Sequence, residues 1–461
     1  MKIDALVAEI GSTTTVINAF DKLDSDNPVF VGSGYSPTTV LEGDVTIGLN
    51  KAIENLKQKL NVNEIDAYET FASSSAAGGL KMSVHGLVYD MTVKAAKEAA
   101  LGAGANIKMI TSGLLDEYQI EDIKSEPLNI IMIAGGVDYG ERKTAIENAK
   151  KIASLNLRIP VIYAGNIQNQ KIIKQIFFDF NQSEYLYISK NVYPKIDVLE
   201  VEESRLIIQD VFEKHIIHAP GMEKVKSVIR GNIIPTPGAV MEASILLQKY
   251  LGDLVTIDIG GATTDIHSVT SGKEEIEKIL IAPEPFAKRT VEGDLGIYIN
   301  KDNIIDIITR EKLKKDLNIT DEYFDSVISN YKPIPENGQI PFTERLSLEA
   351  MIQAIERHSG KLVYLYTGSG KTAYAEGKDL TNVKYLIATG GALTRLPGRM
   401  SIIKKALQKE NGLLLKPNKN TEILIDNDYI MASLGVLSKK HPEAALKLMK
   451  KSLEIRWFYV S

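Results

Sequence analysis

Three stretches of the chain carry residue types that could handle a phosphate. In Leu254–Ile266 an apolar run delivers Asp258 into Gly260-Gly261 and the hydroxyls of Thr263 and Thr264, before Asp265 opens a second apolar run. Glycines let backbone N–H groups approach phosphate oxygens, a threonine adds a hydroxyl donor, and a carboxylate such as Asp258 suits Mg²⁺, a hard cation. The same letters also suit a tight hairpin with an Asx turn at Asp258. Leu6–Val16 repeats the order, with Glu9 as the acid, then Gly11 and the hydroxyl run Ser12, Thr13, Thr14. The third stretch, Lys384–Leu396, runs an apolar segment into Gly390-Gly391, where paired glycines leave room for an adenosine to lie flat on the backbone.

Residues of this kind need strands to present them, and the surrounding pattern supplies strands. Short β-branched runs alternate with longer runs of helical period, which is the signature of an α/β chain built from βα units. Expected strands include Ala5–Ile10, Val29–Gly34, Ala67–Phe71, Asn106–Ile110, Leu128–Ala134, Pro160–Ala164, Leu254–Ile259 and Val383–Ala388. Expected helices include Asp44–Leu60, Thr92–Leu101, Arg142–Ala153, Gln168–Phe178, Val198–Lys214, Pro237–Tyr250, Leu346–His358 and Arg399–Gln408. Residues 105–195 read as successive βαβ units of their own, an inserted α/β lobe, and 300–348 as a mostly helical excursion with a surface loop.

Composition narrows the functions that remain. The 461 residues amount to about three typical domains. A net charge of −5 argues against a basic nucleic-acid binder. Zero cysteines exclude disulfides, thiolate nucleophiles, Cys-ligated zinc and protein-held iron–sulfur clusters. No apolar run reaches the roughly 20 residues of a membrane span, and Met1-Lys2-Ile3-Asp4 does not open a signal peptide, so a cytoplasmic location without membrane contact is expected.

The ordered trio of motifs resembles the actin-like ATPase superfamily of sugar kinases, actin and heat-shock chaperones, with its phosphate-one, phosphate-two and adenosine motifs. Thr236–Ala243 and Asp426–Gly435 stand where that superfamily places its two connecting helices. The resemblance implies a two-lobed actin-like (ribonuclease H-like) fold. It implies a first lobe over 1–104, the insert over 105–195, a return with the first connecting helix over 196–250, a second lobe over 251–425, and the second connecting helix and tail over 426–461. It also implies ATP or ADP with Mg²⁺ in the interlobe cleft. Glu9 and Asp258 would face the metal, Gly11, Ser12, Thr13, Thr14, Gly260, Gly261 and Thr263 the phosphates, and Gly390 and Gly391 the adenosine. Asp258, Asp265 and Glu9 are the catalytic candidates; Asp265 or Asp258 would position an attacking water, and either could equally be a metal ligand, Asp265 also a structural turn residue.

A narrower resemblance rests on Gly11–Thr15, Ile133–Asp138, Tyr163–Asn166, Thr236–Val240 and Arg289–Gly296, which look like the MutL/GlmL family. Its members are accessory proteins of adenosylcobalamin-dependent mutases such as glutamate mutase and ornithine aminomutase, and are unrelated to the mismatch-repair protein of the same name. The implied role is reactivation of the mutase by prying out damaged cofactor, with the mutase as protein partner and self-association left open. Two departures from the superfamily, Glu9 in place of an aspartate and no carboxylate around Ile234-Pro235-Thr236, imply slow ATP turnover. A small-molecule kinase and a non-catalytic actin-like scaffold are the alternatives. The turns Ala134–Tyr139 and Ala164–Gln168 of the insert are expected to recognise the partner, with Asp138 and Arg142 as surface contacts.

Other motifs carry less. Gly368–Thr372 ends like a P-loop, but Leu365 occupies the place of the required glycine, so a surface turn is expected. Gly102-Ala103-Gly104 follows a helix and reads as its C-cap. His215 and His218 lack a third ligand type nearby. Ser73–Gly79 reads either as a flexible turn or as a loop approaching the ligand.

Overall fold

The computed structural model describes residues 1–75, 80–215, 221–367, 370–409 and 412–455. The chain divides into two compact units: Met1–Asp21, Phe30–Met241 and Ala282–Lys288 form one, and Lys22–Val29, Glu242–Ile281 and Arg289–Ser461 the other.

Among the described residues the first unit holds ten strands. β1 (Lys2–Ile10), β2 (Thr14–Asp21), β3 (Val29–Pro37) and β4 (Asp66–Ser74) come first, then β5 (Leu80–Gly86), β6 (Ala105–Ser112), β7 (Ile130–Ile133), β8 (Val161–Tyr163) and β9 (Leu186–Ile188), and finally β10 (Ile233–Pro235). β1 lies at the centre of a sheet ordered β10-β4-β1-β2-β3, antiparallel to β2 and parallel to β4. The helix Val45–Leu60 covers it because Val45, Leu49, Ala52 and Leu56 recur on one face, and Asp44 caps its start by accepting from the Thr46 N–H at 2.9 Å.

The second sheet of this unit runs β6-β5-β7-β8-β9 with every pair parallel, and helices cover both faces. One face shares a continuous core with the first sheet, Met82, Ile130 and Ile162 joining Leu6 and Ala8. The other packs Ile131, Ile133 and Tyr163 against Ala149, Ile173 and Phe177 of the outer helices. The inserted sheet therefore begins at Leu80, upstream of residue 105. β5 carries the alternation of a strand, Leu80, Met82 and Val84 against Lys81, Ser83 and His85, and the expected elements do not include it. Ser83 and His85 are buried and bonded within the sheet, His85 Nδ1 to Thr111 Oγ1 at 2.8 Å and Nε2 to Ser83 Oγ at 2.9 Å.

In the second unit β11 (Leu254–Ile259), β12 (Thr264–Val269), β13 (Ala287–Glu292), β14 (Lys361–Thr367), β15 (Gly370–Glu376), β16 (Tyr385–Thr389) and β17 (Glu422–Ile425) follow in order. Five of them form a sheet ordered β13-β12-β11-β16-β17. This is the plan of the first sheet over again: a central strand, its antiparallel partner and a third strand to one side, two parallel strands to the other. The repeated order is that of the two-lobed actin-like fold. Helices Lys301–Ile308, Arg310–Leu317, Asp321–Ser329 and Ile340–His358 make the expected helical excursion and bury Ile304, Leu313, Phe324 and Leu346 against the sheet. β14 and β15 form a separate antiparallel hairpin, so Gly370, Lys371 and Thr372 stand in a strand after a turn, not in a phosphate loop; residues 368 and 369 lie outside the described residues. No helix among the described residues is long and apolar enough to cross a membrane.

Candidate functional site

The hairpin β11–β12 of the second unit brings together the expected acids Asp258 and Asp265. Its register sets Asp258 directly opposite Asp265, so both carboxylates leave the same face. Cross-strand neighbours of like charge repel, and here a cation answers them. Arg289 on β13 donates from Nε at 2.9 Å and from Nη2 at 2.6 Å to Oδ1 of Asp265, while Thr263 Oγ1 donates to Oδ2 at 2.8 Å. Asp265 and Arg289 are both buried. Asp258, by contrast, keeps partial exposure and faces no such partner in the hairpin. Burial and the facing Asp265 push its carboxyl up to about 7, Asp426 adding to the rise and Arg289 opposing it. A carboxylate so placed gains most from a cation.

The turn itself is held from two sides. Gly260 N–H donates to Thr263 O at 2.9 Å, and Tyr298 and Ile299 N–H both donate to Gly261 O at 2.9 and 2.8 Å. Asn300 Nδ2 reaches Ala262 O at 2.8 Å, and Thr264 Oγ1 donates to Leu295 O at 2.8 Å. Arg357 ties the approaching segment down, bonding Glu292 at 2.8 Å and Asp294 at 2.7 and 2.9 Å.

Gly390, after β16, sits beside the Asp258 carboxylate. Its φ of +84 suits glycine, and a Cβ there would collide with Asp258 Oδ1 and meet Ile259 N at 2.7 Å, whereas a Cβ at Gly391 would meet nothing. Thr389, just before it, donates from Oγ1 to Asp426 Oδ2 at 3.0 Å. Asp426 also receives the Ile430 and Met431 N–H groups at 3.1 and 2.9 Å and Ser452 Oγ at 2.7 Å, which pins the start of the helix Met431–Leu437 beside the hairpin sheet.

In the first unit, β1–β2 builds the matching turn. Gly11 N–H donates to Thr14 O at 3.0 Å, and Ile10 pairs with Thr15 as Ile259 pairs with Thr264. Thr38 closes it, its N–H donating to Thr13 O at 3.0 Å and its Oγ1 to Gly11 O at 2.8 Å. Ser12 Oγ donates to Ser75 O at 3.3 Å. Glu9 is buried on β1 between Val16 and Ser73.

The expected residues thus fall at three places: Glu9, Gly11, Ser12, Thr13 and Thr14 in and beside the β1–β2 turn of the first unit, Asp258, Gly260, Gly261, Thr263 and Asp265 in and beside the β11–β12 turn of the second, and Gly390 and Gly391 at the start of the helix that follows β16. Among the described residues no group of three or more acidic or histidine side chains is disposed to hold a metal alone. Glu242 pairs with Lys439 at 3.3 Å. His218, Ala76, Ala77, Gly78 and Gly79 lie outside the described residues. Arg289 and Asp426 carry parts of the candidate site that no local pattern assigned to them; at Asp426 the signal was an acid directly after a buried strand, whereas Arg289 is one of three charged residues in β13, with Lys288 and Glu292, and nothing local singles it out.

The comparisons with known proteins agree in their reach along the chain. A curated relative, Protein MutL of Clostridium tetanomorphum, is 37% identical over 465 residues, covering 97% of this chain and 98% of that one. Among solved structures, nucleotide-free acetone carboxylase aligns with a TM-score of 0.42 at 11% identity, over 95% of this chain and 70% of that one. The nucleotide-free diol dehydratase-reactivating factor aligns with a TM-score of 0.35 at 10% identity, over 95% of this chain and all of that one, 100%. With residues 5–453 also matching the model of the MutL protein family, the chain belongs to that family.

Proposed function

We propose that this chain is an ATP-dependent accessory protein of an adenosylcobalamin-dependent mutase, which it reactivates by releasing damaged cofactor. Membership of the MutL protein family and the duplicated hairpin support the reading. The observation that carries the accessory role is the match to the MutL protein family over residues 5–453; for nucleotide binding it is the geometry at Asp258, a carboxylate opposite Asp265 and beside Gly390, where no side chain fits. The donor set fits Mg²⁺, which prefers one or two carboxylates plus phosphate and water oxygens to an all-protein cage. Bound Mg²⁺ would offset the charge of the nucleotide phosphates. Asp258 would hold the metal, with Glu9 as a further acid. The backbone N–H of Gly261 and the hydroxyls of Thr13 and of Ser12, once turned from Ser75 O, would hold phosphate; Gly260 and Thr263 would shape the turn through their bonds to Thr263 O and Asp265, and Gly391 would leave space for the adenosine.

Asp265 is better used as a positioning residue than as a base, since Arg289 and Thr263 already occupy both its oxygens. Unassisted turnover is therefore slow, well below the roughly 10 per second of a median enzyme. Calorimetry on Asp258→Ala tests the reading. Mg²⁺-dependent ATP affinity should fall about a hundredfold, on the order of 2.7 kcal/mol. An unchanged affinity removes this hairpin from nucleotide binding. Rapid phosphoryl transfer to a sugar or acid with no partner present would replace the accessory role with a kinase.

A further inference from the structure

The parallel sheet β6-β5-β7-β8-β9 sends all five strand carboxyl ends to one edge, and each of the five following loops exposes an apolar side chain there. Val88 and Tyr89 follow β5, Leu114 follows β6, Tyr139 β7, Ile167 β8 and Ile196 β9, at 44 to 77% exposure. Single exposed apolar residues are ordinary, but one from every loop of one edge marks an interaction surface.

The loops are tied to each other rather than left loose. Asp138 Oδ1 accepts from Ile167 N–H at 2.9 Å and Asn191 Nδ2 at 3.0 Å, and Asn191 Nδ2 also reaches Gly136 O at 3.0 Å. Asn166 Oδ1 accepts the Tyr139 N–H at 3.2 Å, and Arg142 Nε donates to Asn169 at 2.9 Å. Gly113 N–H donates to Gly86 O at 2.9 Å, joining the β6 loop to β5. Asp138 and Arg142, expected as surface contacts, are thus braces of the platform. A surface held in shape before binding loses less entropy when it binds.

The charges in these loops are mostly acidic, with Arg142, Lys190 and Lys195 as the exposed bases among them, and the acids bond only near their own loops, Asp116 to Gln119, Glu141 to Thr144 and Asp197 to Tyr193. Asp90 follows Tyr89, Asp116 stands two residues after Leu114, Glu141 two after Tyr139, and Asp197 follows Ile196. All four are exposed, and among the described residues none forms an ion pair. An apolar centre with an acidic rim is complementary to a protein face whose apolar centre is ringed by Lys and Arg.

We infer that this carboxyl edge is the docking surface for the partner enzyme, and that the partner meets it with a basic-rimmed apolar face. The inference rests on the accessory role proposed above. Its test is the affinity of the full chain for purified holo glutamate mutase and, separately, ornithine aminomutase. Tyr139→Asn combined with Ile196→Asp should weaken binding at least about tenfold, an ordinary loss for exposed anchors. Asn accepts the positive φ of 65 at position 139, so the platform survives. ATP affinity and circular dichroism should match the parent. Asp90→Lys with Asp197→Asn, which accepts the positive φ of 60 at position 197, should weaken binding as well and flatten its dependence on salt. Parent-like affinity in both double variants overturns the docking surface and leaves the accessory role standing. A parent chain that binds neither mutase overturns both. Self-association of the parent, lost in the first double variant, overturns the partner chemistry in favour of a second copy of this chain.

Discussion

The two hairpins, β1–β2 and β11–β12, share strand order, turn length and the bond that closes the turn, yet only the second sets two acids face to face beside the turn. Glu9 and Asp258 occupy the same place before the turn, whereas Asp265, facing Asp258, has Val16 as its counterpart facing Glu9. The first turn is closed by Thr38 and the second by the backbone of Tyr298 and Ile299. The shared part is backbone geometry, and it needs only glycine and short hydroxyl residues. The differing part is charge. An acid at the second position is tolerated in β12 because Arg289 reaches it from β13, and no such need arises where valine stands.

The sharpest way to break this comparison is to remove the cation. Arg289→Met should leave Asp265 buried opposite Asp258 with no positive partner, and breaking a buried pair from one side costs roughly 3–5 kcal/mol. Urea unfolding should show that loss in the second unit. A variant as stable as the parent would mean that the Arg289–Asp265 pair does not balance the hairpin. Asp265→Val with Arg289→Met, which makes the second hairpin resemble the first, should recover much of the stability, since replacing both partners by apolar groups is often neutral.

A smaller effect separates the two leading acids. Glu9→Gln should weaken Mg²⁺-dependent ATP affinity by about tenfold or less, against the hundredfold expected for Asp258→Ala, because Asp258 stands opposite a second acid that raises it, whereas Glu9 stands opposite Val16. Equal losses at both positions would make the hairpins chemically equivalent.

How much of this was legible follows the range of the interactions. The turns were readable because strand, acid, glycine and hydroxyl lie within ten residues and each letter has a local reason. The helix Arg399–Gln408 was readable for the same cause, and its bounds agree. Arg289 was not assigned, because its partner stands 24 residues away and β13 lies in a stretch with no clean alternation. The alternation of β5 was legible, though β5 is not among the expected strands; what the sequence does not show is that its polar face is buried too, His85 bonding Thr111 of β6 and Ser83 of its own strand. Asp138 and Arg142 look like free surface charges in the sequence, and only the loops folded beside them reveal them as braces.

The smallest effect expected concerns two buried histidines, one in each unit, whose bonding differs as the hairpins' charge does. His85 is bonded at both ring nitrogens, whereas neither nitrogen of His267 has a hydrogen-bond partner among the described residues. Burial lowers both to about 3, from the usual 6.5. Below pH 6.5 the unfolded chain takes up a proton that the folded histidine refuses, so the stability present above pH 6.5 drains away as pH falls toward 3. Each histidine contributes a slope of at most about 1.36 kcal/mol per pH unit. His85→Leu should cost about 1–3 kcal/mol at pH 7.5, because it strands Ser83 and Thr111. His267→Leu breaks no hydrogen bond and should change stability by less than about 1 kcal/mol there. Both should flatten the acid limb alike. Urea unfolding of the two variants at pH 7.5 and 5.0 decides it: if His267→Leu is as damaging at pH 7.5 as His85→Leu, His267 has a bonding partner in the folded protein and the contrast between the two histidines is lost.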